Sequence, residues 1–162
     1  MVLKAANPTM QRRQVLNILW FAMTSTVGVY WVVHAIVKAK QPHSSSGAMV
    51  GILAGLSVVE SLGAWMFHHL MLKDVAKNQA GALSPEACPA IERQLQSTAV
   101  VCLALFETIA VYGFIGSLLG SPYPNTFEWF AGISFLNLVL YRAQAYPAIF
   151  QLLDQMKQRQ LA

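Results

Sequence analysis

Three charged side chains stand out because of where they lie. Glu60 falls at the middle of one long apolar stretch, Glu107 at the middle of the next, and Arg142 just past the middle of the last. An ionised side chain at the centre of a bilayer costs about 2.5 to 3.5 kcal/mol on insertion scales, so each carboxyl is expected to be protonated, paired or lining a polar cavity. Arg142 is the only cation at comparable depth and therefore the natural partner for one of them. The carboxyl left over is expected to be carried as the neutral acid, because burial disfavours its charged form. Three kinds of chemistry are open to such a set: an ion pair that fixes helix packing, a carboxyl that handles a proton or cation, or a site for a ligand.

Further polar residues recur at helical spacing. Asn17, Thr24 and Gly28 share one face of the first stretch, and Asn137, Tyr141 and Gln144 share one face of the last. Amides and hydroxyls in such positions are expected to hydrogen-bond between helices. Gly47, Gly51 and Gly55 make two overlapping GxxxG steps and predict a close helix contact, within the chain or between protomers. That stripe lies about 140° round the helix from Glu60. His34 is deeper than the neighbours His68 and His69, which point about 100° apart and suit a shared metal poorly. Cys88 and Cys102 lack the spacing of a metal knuckle or a redox pair and read as free thiols. No metal and no cofactor are expected.

The elements that position these residues follow from composition. Of 162 residues, 56% are hydrophobic and 11% charged, too little polar surface to cover a soluble domain. The apolar residues gather into four stretches, at about 14–37, 47–72, 95–120 and 127–153, each long enough to cross a hydrocarbon core of about 30 Å as a helix. The predicted fold is therefore all-α: one polytopic membrane domain over 1–162, with four transmembrane helices arranged as two parallel-related hairpins. A secreted disulfide scaffold, a coiled coil and a disordered tail are excluded. Residues 73–94 form the longest connector, and 121–126, reading SPYPNT, form a tight turn with two prolines. Pro147 is expected to bend the last helix.

Orientation comes from lysine and arginine. The N-terminal flank carries three (Lys4, Arg12, Arg13), the middle connector three (Lys73, Lys77, Arg93) and the C-terminal flank two (Lys157, Arg159), against two and none in the other connections. Eight against two places both termini and the connector 73–94 on the cytoplasmic side, with Phe127, Trp129 and Phe130 at the outer interface. The formal net charge of +4 resides in these flanks rather than in a basic stripe, so no nucleic-acid partner is expected. The first apolar run is too long for a signal-peptide core, and the expected location is a bacterial cytoplasmic membrane.

The two halves align with one another. STVGVYWVVHAIV, from Ser25, lies over ETIAVYGFIGSLL, from Glu107, superimposing Val29 and Tyr30 on Val111 and Tyr112. Gly51 and Ile52 fall over Gly132 and Ile133, and Ser25 stands where Glu107 stands. Both halves start from the same side, so the repeat is parallel.

Residues 89–120, PAIERQLQSTAVVCLALFETIAVYGFIGSLLG, resemble the carboxylate-bearing helix of the proteolipid, or c, subunits of rotary ATPases. Pro89 precedes Glu107 by 18 residues, and AVYG follows it. The resemblance implies that Glu107 binds and releases a proton, with Cys102, Thr108 and Tyr112 nearby. It covers about a fifth of the chain, and 51–70 departs from the family's other helix in its wider glycine spacing, its bulky aromatics and its own Glu60. In that family the opposing arginine belongs to the stator, whereas Arg142 is on this chain.

Two functions compete. The sequence slightly favours a small membrane subunit that packs into or assembles a larger complex through its helix faces, with the bilayer, further copies or other membrane subunits as partners. The alternative is proton or cation handling at a midplane carboxylate. An enzyme is not expected: Glu92 and Arg93 lack the further Arg, Asn and Glu that a glutathione-dependent four-helix enzyme needs, and no cysteine pair suits a quinone-linked thiol oxidase.

Overall fold

The computed structural model describes residues 8–38, 47–80, 88–123 and 125–161. Four helices account for nearly all of them: α1 (Pro8–Lys38), α2 (Gly47–Ala80), α3 (Cys88–Leu118) and α4 (Thr126–Leu161). No strand occurs among the described residues. α1, α2 and α3 are long and apolar enough to cross a membrane. α4 is the longest helix but less apolar, interrupted by Glu128 and Arg142.

Most helices outrun their apolar stretches, because backbone hydrogen bonding continues into polar turns where hydropathy has already fallen. α2 reaches Ala80 and α3 begins at Cys88, so the connector expected at 73–94 is largely helical. Its remainder, 81–87, the connection 39–46 and the thiol of Cys88 lie outside the described residues and side chains.

The α3–α4 turn is built from local chemistry. The Gly120 N–H donates to the Ser117 carbonyl and the Ser121 N–H to the Gly116 carbonyl, closing a Schellman motif. Gly120, at φ 77°, occupies the left-handed position that this cap requires. The Thr126 hydroxyl then donates to the Tyr123 carbonyl at 2.9 Å as α4 begins. Pro147 lies inside α4, which continues past it to Leu161.

Packing centres on α3, whose apolar window is 44% buried against 11% for α1 and 17% for α2. α3 packs most extensively against α4, then α2, then α1. Among the described residues no Cα atom of α1 comes within 8 Å of one in α2. The first of the two expected hairpins is therefore not a packed pair: α3 stands between its arms, while α3 and α4 do form one. Cross-contacts fix the directions. Glu60 meets Tyr112 and Ala64 meets Cys102, so α2 runs antiparallel to α3. Arg13 meets Asp154 and Trp20 meets Leu138, so α1 runs antiparallel to α4.

The outer surface is greasy. Phe21, Val59, Leu62 and Trp129 are each about two-thirds exposed, whereas His34, His68, Ser134 and Asn137 are buried. Polar groups turned inward and apolar groups outward is the distribution a lipid environment favours.

Candidate functional site

α3 carries candidate residues on both of its flanks. Successive residues turn about 100°, so Glu107 and Tyr112 point some 140° apart round the helix, roughly one and a half turns apart in height. Tyr112 faces α2, where its hydroxyl donates to Glu60 Oε1 at 2.6 Å. Glu107 lies on the flank away from that contact. Of the two tyrosines that the repeat aligns, Tyr112 thus meets a carboxyl on a neighbouring helix, Glu60, while Tyr30 stacks on Phe114.

Glu107 is half-buried and makes no hydrogen bond or salt bridge among the described residues. Glu60 is also half-buried, and its second oxygen, Oε2, is enclosed with no hydrogen-bond partner. Arg142 joins neither carboxyl. It is exposed on α4, with its guanidinium over the Trp20 ring of α1, 4.3 Å from the ring centre. The same indole donates to the Leu138 carbonyl at 2.9 Å, and the Tyr146 hydroxyl to the Leu16 carbonyl at 2.7 Å. Arg142 therefore belongs to the α1–α4 seam. Its long stem brings the charge outward, as amphipathic side chains do when a surface is near.

The predicted polar contacts divide. Asn137 is an interhelical hub, its Oδ1 accepting from the Ser61 hydroxyl at 3.0 Å and from the Trp65 indole at 3.2 Å. Tyr141 is fully buried against His68, with its hydroxyl 3.1 Å from Nδ1. Gln144, on the same helix, is exposed. Thr24 bonds only to its own helix, at the Trp20 carbonyl, and Asn17 makes no hydrogen bond among the described residues. Of the GxxxG glycines, Gly47 meets the Tyr123 hydroxyl, whereas Gly51 and Gly55 face open space. Cys102 is a buried free thiol whose Sγ lies 3.4 Å from the Ala64 carbonyl.

A second polar cluster lies near the α3–α4 turn, where the sequence alone points only to a deep histidine. His34 of α1 is 5% exposed. Its Nδ1 lies 2.9 Å from the Ser117 Oγ of α3, and its Nε2 lies 3.6 Å from Glu128 Oε1 of α4. The ring packs against Phe127 with centroids 4.6 Å apart. The signal for this cluster was in the alternating helix directions, which bring His34, Ser117 and the start of α4 to one level.

Among the described residues no group of His, Cys, Asp and Glu could hold a metal ion. No family model, curated protein or solved structure matches the chain.

Proposed function

We propose that the chain is a multi-pass membrane subunit that takes up and releases a proton at Glu107 within a larger assembly. The observation that carries this reading is the absence of an internal counter-ion: Glu107 has no ion-pair partner among the described residues, while Arg142 is engaged by Trp20. A carboxyl held by a permanent salt bridge would stay ionised. One that lacks it in an apolar seam is carried as the neutral acid until water or a partner's charge stabilises the anion, and that is the requirement for exchange. The resemblance of 89–120 to a proteolipid helix points to the same residue. On this reading α4 is the fourth crossing and both termini are cytoplasmic, in keeping with eight flanking cations against two.

A second reading, assembly through helix faces, has its own support. Among the described residues Ser97, Val101, Ala104 and Ile115 form an exposed row on α3, and Gly51 and Gly55 offer a close approach on α2. A hydrophobic carbodiimide separates the two, because it attacks the protonated carboxyl. Applied to membranes containing the intact protein, it should modify Glu107, more slowly as pH rises. Modification confined to Glu60, or none at either site, would leave assembly as the better reading.

A further inference from the structure

We propose that the seam between α2 and α4 holds a phospholipid with an anionic, phosphate-bearing headgroup, independently of any role for Glu107. Two openings lie along this seam. The first is a cleft of about 320 Å³, with His69 and Lys73 of α2 on one wall, Gln151 and Gln155 of α4 on the other, and a floor that includes Leu72 and Leu152. Each wall is a pair one helical turn apart, so its two polar side chains point the same way. The second is a groove of about 400 Å³, bounded by Val58 and Leu62 of α2 and by Phe130 and Ile133 of α4. Its two serines, Ser57 and Ser61, spend their hydroxyls on the Leu53 carbonyl and on Asn137, which leaves the surface apolar. At about 100° per residue, Val58, Leu62, His69 and Lys73 fall within about 60° of arc on α2, and Phe130, Ile133, Gln151 and Gln155 within about 60° on α4. Both openings therefore face the same side of the bundle.

The cleft suits an anion. Lys73 supplies positive charge, the imidazole and the two amides supply N–H donors, and no carboxylate lines it. The carboxyls adjacent in sequence are turned elsewhere: Asp74 points about 100° round α2 from Lys73, and Asp154 accepts from Arg13 of α1 at 2.6 Å. His69, Lys73, Gln151 and Gln155 are all exposed, and none makes a hydrogen bond or ion pair among the described residues. The position suits a lipid rather than a free anion. Lys73 is the first lysine or arginine on α2 after the apolar stretch 47–72, which places it at the edge of a hydrocarbon core. From Lys73 back to Leu62 the helix rises about 16 Å, the depth of one leaflet of a core about 30 Å thick. A phosphate in the cleft therefore sets the ends of the acyl chains level with the apolar groove. Met66, exposed on the same side of α2, carries the apolar track between the two.

Native mass spectrometry of the full chain, released from micelles doped with phosphatidylglycerol, phosphatidylcholine or inorganic phosphate, reads the occupant. The chain should retain phosphatidylglycerol in preference to phosphatidylcholine, and inorganic phosphate should not displace it. Lys73→Gln should weaken retention by about fivefold, the contribution of one lysine close to an anionic lipid. Val58→Trp narrows the groove without touching the cleft and should also reduce the retained lipid. Both substitutions fall at exposed positions, so the packed core is left intact. Displacement by inorganic phosphate, with Val58→Trp behaving as the wild type, would assign the cleft to a free anion and overturn the lipid site. Equal retention of the two lipids, or a Lys73→Gln variant that retains phosphatidylglycerol as the wild type does, would overturn the anion cleft itself. None of these outcomes alters what the carbodiimide reports at Glu107.

Discussion

Replacing Gly113 with alanine probes the α3–α4 seam at its tightest point. A Cβ built there collides with the Phe130 Cβ and lies 3.0 Å from its Cγ. Both Cβ atoms hang directly from the backbone, so neither swings aside by a change of rotamer, and the helices must part or Phe130 must move with its backbone. The seam is the most extensive in the protein, with Phe106, Phe127 and Ser134 fully buried in it. It is pinned by the Ser134 hydroxyl donating to the Phe106 carbonyl at 2.6 Å. Overpacking of this kind costs about 1 to 3 kcal/mol, and a gap of about half an ångström forfeits roughly a quarter of the attraction of each carbon pair across it. Alanine returns about 0.8 to 1.0 kcal/mol in helix propensity. Gly132→Ala is the matched control, since nothing lies within 4 Å of its Cβ position. Propensity cancels between the two, so Gly113→Ala should be the less stable by about 1 to 3 kcal/mol. Equilibrium unfolding in mixed micelles, followed by tryptophan fluorescence, measures the difference. Equal stabilities would mean that α3 and α4 do not approach each other as described.

Three other perturbations address the polar framework and the orientation. Asn137→Leu strands the Ser61 hydroxyl and the Trp65 indole N–H, and should destabilise by about 1 to 3 kcal/mol, part of it recovered by adding Ser61→Ala. Arg142→Ala removes a cation–π contact and the cover over Trp20, for a loss of about 0.5 to 2 kcal/mol in the same unfolding assay. Neither Glu60→Gln nor Glu107→Gln should rescue it, since neither carboxyl is its partner. Pro122→Cys, at an exposed position in the turn, should react with an impermeant thiol reagent from outside intact cells, while buried Cys102 should not.

The parts of this fold that were legible in the sequence are those set by local chemistry. Run length and the SPYPNT break mark four helices and a turn, because a helix requires uninterrupted backbone pairing and the turn requires residues such as Gly120 and Asn125, both at positive φ. What was not legible is azimuth. A helix that is apolar on nearly every side has no stripe to separate its core face from its outer face, and only packing decides between them. Arg142 therefore read as a partner for a carboxyl, when its position on α4 aims it at Trp20 instead. His34 read as one deep histidine, because Ser117 lies 83 residues away and acquires meaning only when α1 and α3 lie side by side. The same azimuth separates the two carboxyls. With α3 between α1 and α2, Glu60 with its tyrosine holds α2 to α3, whereas Glu107 lies about 140° round α3 from that contact. A sequence duplicated in parallel would suggest two equivalent sites. The packing makes them unequal, since Tyr112 donates directly to Glu60 whereas Tyr30, stacked on Phe114, forms no such bond with Glu107 among the described residues.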